Sequence, residues 1–99
     1  MNDQSQKIIQ KIEENLDAIK RLGVQKLGLF GSYARGEGGR GSDLDFVVEF
    51  EEKSFDVFMD LKAFLEKLFG RRVDLVLTNA IKPRLRRSIL EETIHVPGL

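Results

Sequence analysis

The spacing of apolar residues changes along the chain, and each change marks an element. Ile8, Ile9, Ile12, Leu16, Ile19 and Leu22 recur at intervals of three and four among charged residues. That spacing predicts one surface helix from Gln4 to Leu22, ended at Gly23. Val24 to Phe30 carries Leu27, Leu29 and Phe30 in a run too short for a helix, which predicts a first strand. Ser32 is a suitable N-cap for a brief helix through Tyr33, Ala34 and Arg35, before glycines at 36, 38, 39 and 41 impose a flexible loop.

Leu44 to Phe50, with Phe46, Val47, Val48 and Phe50, is nearly continuous in apolar character and predicts a second strand covered on both faces. Ser54 caps the next helix, with Asp56 in its first turn and Phe58, Leu61, Leu65 and Leu68 as its buried stripe as far as Gly70. Arg71 to Leu77 returns to strand character through Val73, Leu75, Val76 and Leu77. Strand, helix and strand in this order join parallel neighbours by a crossover. Lys82 to Glu92 predicts a last helix with Pro83 in its first turn and Leu85, Ile89 and Leu90 as its inner face. Thr93 to Val96 has room to add a short edge strand.

The expected fold is therefore α/β, a single small domain over residues 1–99 with element order α-β-α-β-α-β-α. With 99 residues, 41% hydrophobic and 32% charged, the chain is long enough for one modest core and is not a disordered sequence. Basic and acidic residues number 16 each, so no overall field attracts nucleic acid, and no direct nucleic-acid binding is expected. The absence of cysteine and the single His95 exclude disulfides and thiolate or histidine metal clusters. A metal here would be held by hard oxygen ligands. Met1 to Lys11 lacks an apolar signal run and no stretch reaches the ~20 apolar residues of a membrane span, so the expected location is the cytoplasm, without a membrane.

Against that background three aspartates stand out. Asp43 and Asp45 are two apart at the start of the second strand, so both point to one face, about 6.5 Å apart along it. Two metal ions about 3.5–4 Å apart fit between such groups. Aspartate pairs are common on solvated strands, but Asp45 and Asp74 lie within runs fit for burial, where an unpaired carboxylate costs several kcal/mol. Asp74 is the second residue of the third strand, and parallel strands two and three start at the same sheet edge. Three carboxylates with open positions for phosphate oxygens favour Mg²⁺. Gly31 and Ser32, between the first strand and the brief helix, offer backbone amides to a phosphate. For that turn to face the aspartates, strand one must run antiparallel to strand two, giving a mixed three-stranded core sheet of order 1-2-3.

These residues, Gly31-Ser32-Tyr33-Ala34-Arg35-Gly36, then Ser42-Asp43-Leu44-Asp45, then Val73-Asp74-Leu75, resemble the minimal nucleotidyltransferases of the polymerase-beta superfamily. The resemblance implies transfer of a nucleoside monophosphate, AMP from ATP, with release of pyrophosphate. It implies that Asp43 and Asp45 hold two Mg²⁺ ions, and that Asp74 binds the ion nearer the acceptor and helps deprotonate its hydroxyl. Gly31 and Ser32 then hold the terminal phosphates, and Arg35 and Arg40 neutralise the departing pyrophosphate. With no chain to spare for an acceptor domain, the expected acceptor is another protein, as in relatives that act as antitoxins by adenylylating a tyrosine of a helical HEPN-type partner.

Two other functions stay open on sequence alone. One is a non-catalytic module that neutralises or regulates a partner by contact, and the other is the catalytic subunit of a small-molecule nucleotidyltransferase. Gly36, Gly38 and Gly41 satisfy the spacing of a dinucleotide-binding turn but precede a strand, where that motif must open a helix. The basic segment of Arg71, Arg72, Lys82, Arg84, Arg86 and Arg87, and the acidic one from Glu49 to Asp60, read mainly as solvated faces. His95 and Tyr33 read as packing or surface residues.

Overall fold

Each apolar run forms a strand, and one sheet joins them. In the computed structural model, which describes residues 1–52 and 54–99, β1 is Val24–Phe30, β2 is Leu44–Phe50, β3 is Val73–Leu77 and β4 is Ile94–His95. The order is β3-β2-β1-β4. β1 pairs antiparallel with β2, from Val24 opposite Phe50 to Phe30 opposite Asp45. β2 pairs parallel with β3 from Leu44 opposite Val73, and β4 adds antiparallel to β1 through Gly28 and Leu29. The 1-2-3 order with an antiparallel first strand, and the C-terminal edge strand, are thus as expected.

The helices are α1 (Asp3–Glu13), α2 (Leu16–Arg21), α3 (Phe55–Phe69) and α4 (Pro83–Glu92), with a single 3₁₀ turn over Thr78–Ala80. α3 follows its sequence signals. Ser54 accepts a hydrogen bond from the Val57 amide, and Gly70 closes the helix at φ 64°, donating to the Glu66 carbonyl at 2.8 Å. None of these helices is long and apolar enough to cross a membrane.

Three expected elements are corrected. The Gln4 to Leu22 helix is two helices, because Asn15 leaves helical geometry at φ −118° and ψ 22° and its side chain donates to the Lys11 carbonyl at 2.9 Å. Asparagine competes with the backbone in this way, and the apolar spacing runs on across the break without registering it. No helix follows Ser32. Residues 32–36 make a single set of turns, with the Arg35 amide on the Gly31 carbonyl and the Glu37 amide on the Ser32 carbonyl. Gly36, at φ 77°, prevents propagation. Finally, α4 buries none of its residues, and Leu85, expected on an inner face, is 45% exposed.

The core lies on one face of the sheet. Leu27 and Leu29 of β1, Leu44, Phe46, Val48 and Phe50 of β2, and Val73 and Leu75 of β3 pack with Ile8, Ile9 and Ile12 of α1, Ile19 of α2, and Leu61 and Leu65 of α3. Phe46 is fully buried and stacks on Phe69 with ring centroids 6.1 Å apart. Because side chains alternate along a strand, Asp45 and Asp74 are left on the opposite face.

Candidate functional site

The carboxyl groups at this edge are placed by strand register. Asp45 is the second residue of β2, with Asp74 of β3 directly beside it in the parallel ladder and Phe30, the last residue of β1, on its other side. The chain then turns at Gly31, whose φ of 78° suits glycine. A Cβ built there would overlap Asp45 Oδ2 and lie 2.9 Å from the carboxyl carbon. The turn can therefore pass directly over the carboxyl group only because residue 31 has no side chain.

Crowding shows in the protonation of Asp45. Its carboxyl is half-buried, and its pKa is raised to about 6 from 3.8. Burial is the first cause, followed by the charges of Asp74 and Asp43 and a hydrogen bond with Asp74, against which Arg35 pulls down. Carboxyl groups set this close repel one another once ionised, and a cation between them relieves that repulsion. Asp43 stands just before β2 and is exposed, as is Asp74. Among the described residues no three acidic, histidine or cysteine groups converge closely enough to hold an ion by themselves.

The turn after β1 is tied down rather than loose, contrary to the expected flexible loop. Gln4 of α1 makes two hydrogen bonds with Gly38, donating to its carbonyl at 2.8 Å and accepting from its amide at 2.9 Å. Asn2 donates to the Ala34 carbonyl at 2.9 Å while capping α1. Tyr33 is buried, as its packing role predicts. Its hydroxyl donates to the Gly39 carbonyl at 2.8 Å and accepts from Arg71, whose guanidinium lies 4.9 Å from the ring centroid. The amino terminus thus braces the segment that carries Gly31, Ser32 and Arg35.

The structure brings Gly31, Arg35, Asp45 and Asp74 to one sheet edge, with Ser32 half-buried in the turn and Asp43 at the mouth. Arg40 is exposed in the loop, and among the described residues no hydrogen bond or ion pair joins it to the others. Sequence reasoning passed over Glu92, the last residue of α4. Its Oε1 accepts from the Gly31 amide at 3.0 Å and its Oε2 from Arg35 Nη1 at 3.0 Å. Arg35 also pairs with Glu37 at 3.4 Å, and its pKa is raised, first by the hydrogen bond to Glu92. Glu92 lies 61 positions from Gly31, and no local pattern announces such a contact.

The chain resembles known proteins over nearly its whole length. Residues 7–96 match the nucleotidyltransferase domain family. The protein adenylyltransferase MntA of Thermococcus cleftensis is 42% identical over 94 residues, covering 89% of this chain and 95% of that protein. A solved candidate minimal nucleotidyltransferase superposes with a TM-score of 0.73 at 38% identity, covering 87% of this chain and 93% of its own. The fold is also shared, at 20% identity and a TM-score of 0.64, with a chain of a complex between tri-AMPylated Shewanella oneidensis HEPN toxin and its MNT antitoxin. That match covers 92% of this chain and 73% of the other.

Proposed function

Since the chain belongs to the nucleotidyltransferase domain family, we propose that it transfers AMP from ATP to a hydroxyl of a partner protein, a tyrosine of a HEPN-type toxin, and so acts as that toxin's antitoxin in the cytoplasm, where ATP is supplied. The observation that carries this reading is the meeting of Asp45, Asp74 and the Gly31 turn on one sheet edge. Likeness to a protein adenylyltransferase supports the choice of nucleotide, and the fold shared with an MNT antitoxin beside an AMPylated toxin supports the partner.

Asp43, Asp45 and Asp74 would hold two Mg²⁺ ions. Asp45 and Asp74 stand side by side in the ladder with Asp43 at the mouth, and burial together with the charges of Asp74 and Asp43 raises the pKa of Asp45. These carboxyl groups therefore offer hard oxygen donors and unrelieved negative charge that suit a divalent cation. Bound there, the ions would neutralise phosphate charge and lower the pKa of the acceptor hydroxyl. The chain's own residues do the rest. Asp74, on the exposed side of the pair, receives the proton of the tyrosine hydroxyl, whose oxygen attacks the α-phosphorus of ATP while the bond to pyrophosphate breaks. The Gly31 amide and Ser32 hold the terminal phosphates in line, and Arg35 and Arg40 offset the charge that develops on the departing pyrophosphate.

The test is label transfer. Incubated with α-labelled ATP, Mg²⁺ and the product of the neighbouring gene, the protein should label that partner, and Asp43→Asn should abolish the label. Protection from the partner's toxicity without any label would instead establish neutralisation by contact. Label appearing on a small metabolite in place of the partner would identify a small-molecule enzyme.

A further inference from the structure

The Gly31 amide and the Arg35 guanidinium are well suited to hold an anion at this edge, one as a backbone donor in a tight turn and the other as a permanent cation. Both are already engaged. One carboxylate, that of Glu92, takes the Gly31 amide on Oε1 and Arg35 on Oε2, each at 3.0 Å, with its side chain 29% exposed. Two oxygens of a single anionic group shared between a backbone donor and a guanidinium are what a phosphate would present to the same pair. A phosphate and this carboxylate cannot use those donors together, and their like charges repel at such range.

We propose, resting on the reading of the site as a nucleotidyltransferase, that Glu92 holds the place of the nucleotide's terminal phosphates, so that ATP binds by displacing its carboxylate from Gly31 and Arg35. The residue thereby sets the affinity for ATP and links the site to the α4–β4 junction. The local structure suits a displaceable group. α4 buries no residue, and β4, which begins two residues after Glu92, pairs with β1 over only two positions. The Glu92 side chain, partly open to solvent, can leave the turn by rotating about its own bonds while β4 and the buried Val96 behind it stay on β1.

A merely structural role for Glu92 predicts the opposite result, since a strut that shapes the turn would weaken ATP binding when removed. Calorimetric titration of the full chain with ATP and Mg²⁺, and separately with inorganic tripolyphosphate, separates the two. Glu92→Gln and Glu92→Ala should each bind both probes about tenfold more tightly than the unaltered chain, the size of effect expected for freeing one charge-assisted contact. Unchanged or weaker binding by folded variants would overturn the proposal. Should Glu92→Ala fail to fold, Glu92→Gln decides alone, because it keeps the shape and the acceptor for Gly31 while removing the charge. Failure of the parent reading is distinct: neither the unaltered chain nor any variant would then bind ATP. Tight ATP binding without tightening in the variants removes only the role of Glu92.

Discussion

The two faces of β2 are built for different ends. On one, Leu44, Phe46, Val48 and Phe50 are all at most 7% exposed and pack into the core between the sheet, α1 and α3. On the other, Asp45 and Glu49 are half-buried and only Val47 is covered. Alternation along a single strand thus puts stabilising packing and costly carboxyl chemistry within one residue of each other. A site that destabilises the sheet can be tolerated because the opposite face of the same strand is dry and closely packed. The most direct way to break the contrast is on the dry face. Phe46→Ala leaves a cavity against Phe69 and should cost about 3–5 kcal/mol, seen as a lower urea midpoint, with activity lost only through unfolding.

Much of this division was legible in the sequence. The apolar runs located all three long strands, and the demand that Gly31 face Asp45 and Asp74 was enough to orient β1 against β2. What escaped was set by contacts distant in sequence or by a side chain's choice of partner. Asn15 breaks a helix whose apolar spacing continues through Leu16, Ile19 and Leu22, so the period alone carried no sign of it. The glycines from 36 to 41 looked free, yet Gln4, Asn2 and Tyr33 hold that segment from elsewhere in the chain. Residues 31 to 36 had a helix cap and helix formers but too little length before Gly36. Glu92 looked like one more charged residue at the end of an amphipathic helix, and only the tertiary fold delivers it to Gly31.

On the chemical face, the contrast is sharpened by filling the one space that lets the turn approach. Gly31→Ala puts a methyl group into Asp45 Oδ2 at a positive φ. The strained backbone and the displaced carboxyl should together cost about 1–3 kcal/mol of stability. The larger consequence is for transfer. A catalytic carboxylate pushed aside by about an ångström can lose roughly a hundredfold in rate. Label transfer should therefore fall much further than thermal stability does. Equal falls in the two would mean that the turn serves the fold and not the site.

The smallest expected effect is the most specific to the carboxyl face. Asp45 titrates at about 6 in the folded protein, above its ordinary 3.8, so the native state keeps a proton that the unfolded chain has already released. The resulting stabilisation is fully present below pH 4 and is lost as pH rises through 6. Solvent reaches this half-buried group, and screening should hold the effect to about 1 kcal/mol. In metal-free buffer the thermal midpoint should therefore decline between pH 5 and pH 7 relative to Asp45→Asn, which has no proton to lose and relieves the repulsion from Asp43 and Asp74. Phe46 and its neighbours contribute nothing to that difference, because none of them titrates. Mg²⁺ should reverse the slope, since a cation competes with the proton and binds better as pH rises. A midpoint difference that stays flat with pH, with and without Mg²⁺, would mean that the three carboxyl groups are solvated singly and that the two faces of β2 do not differ in the way their burial indicates.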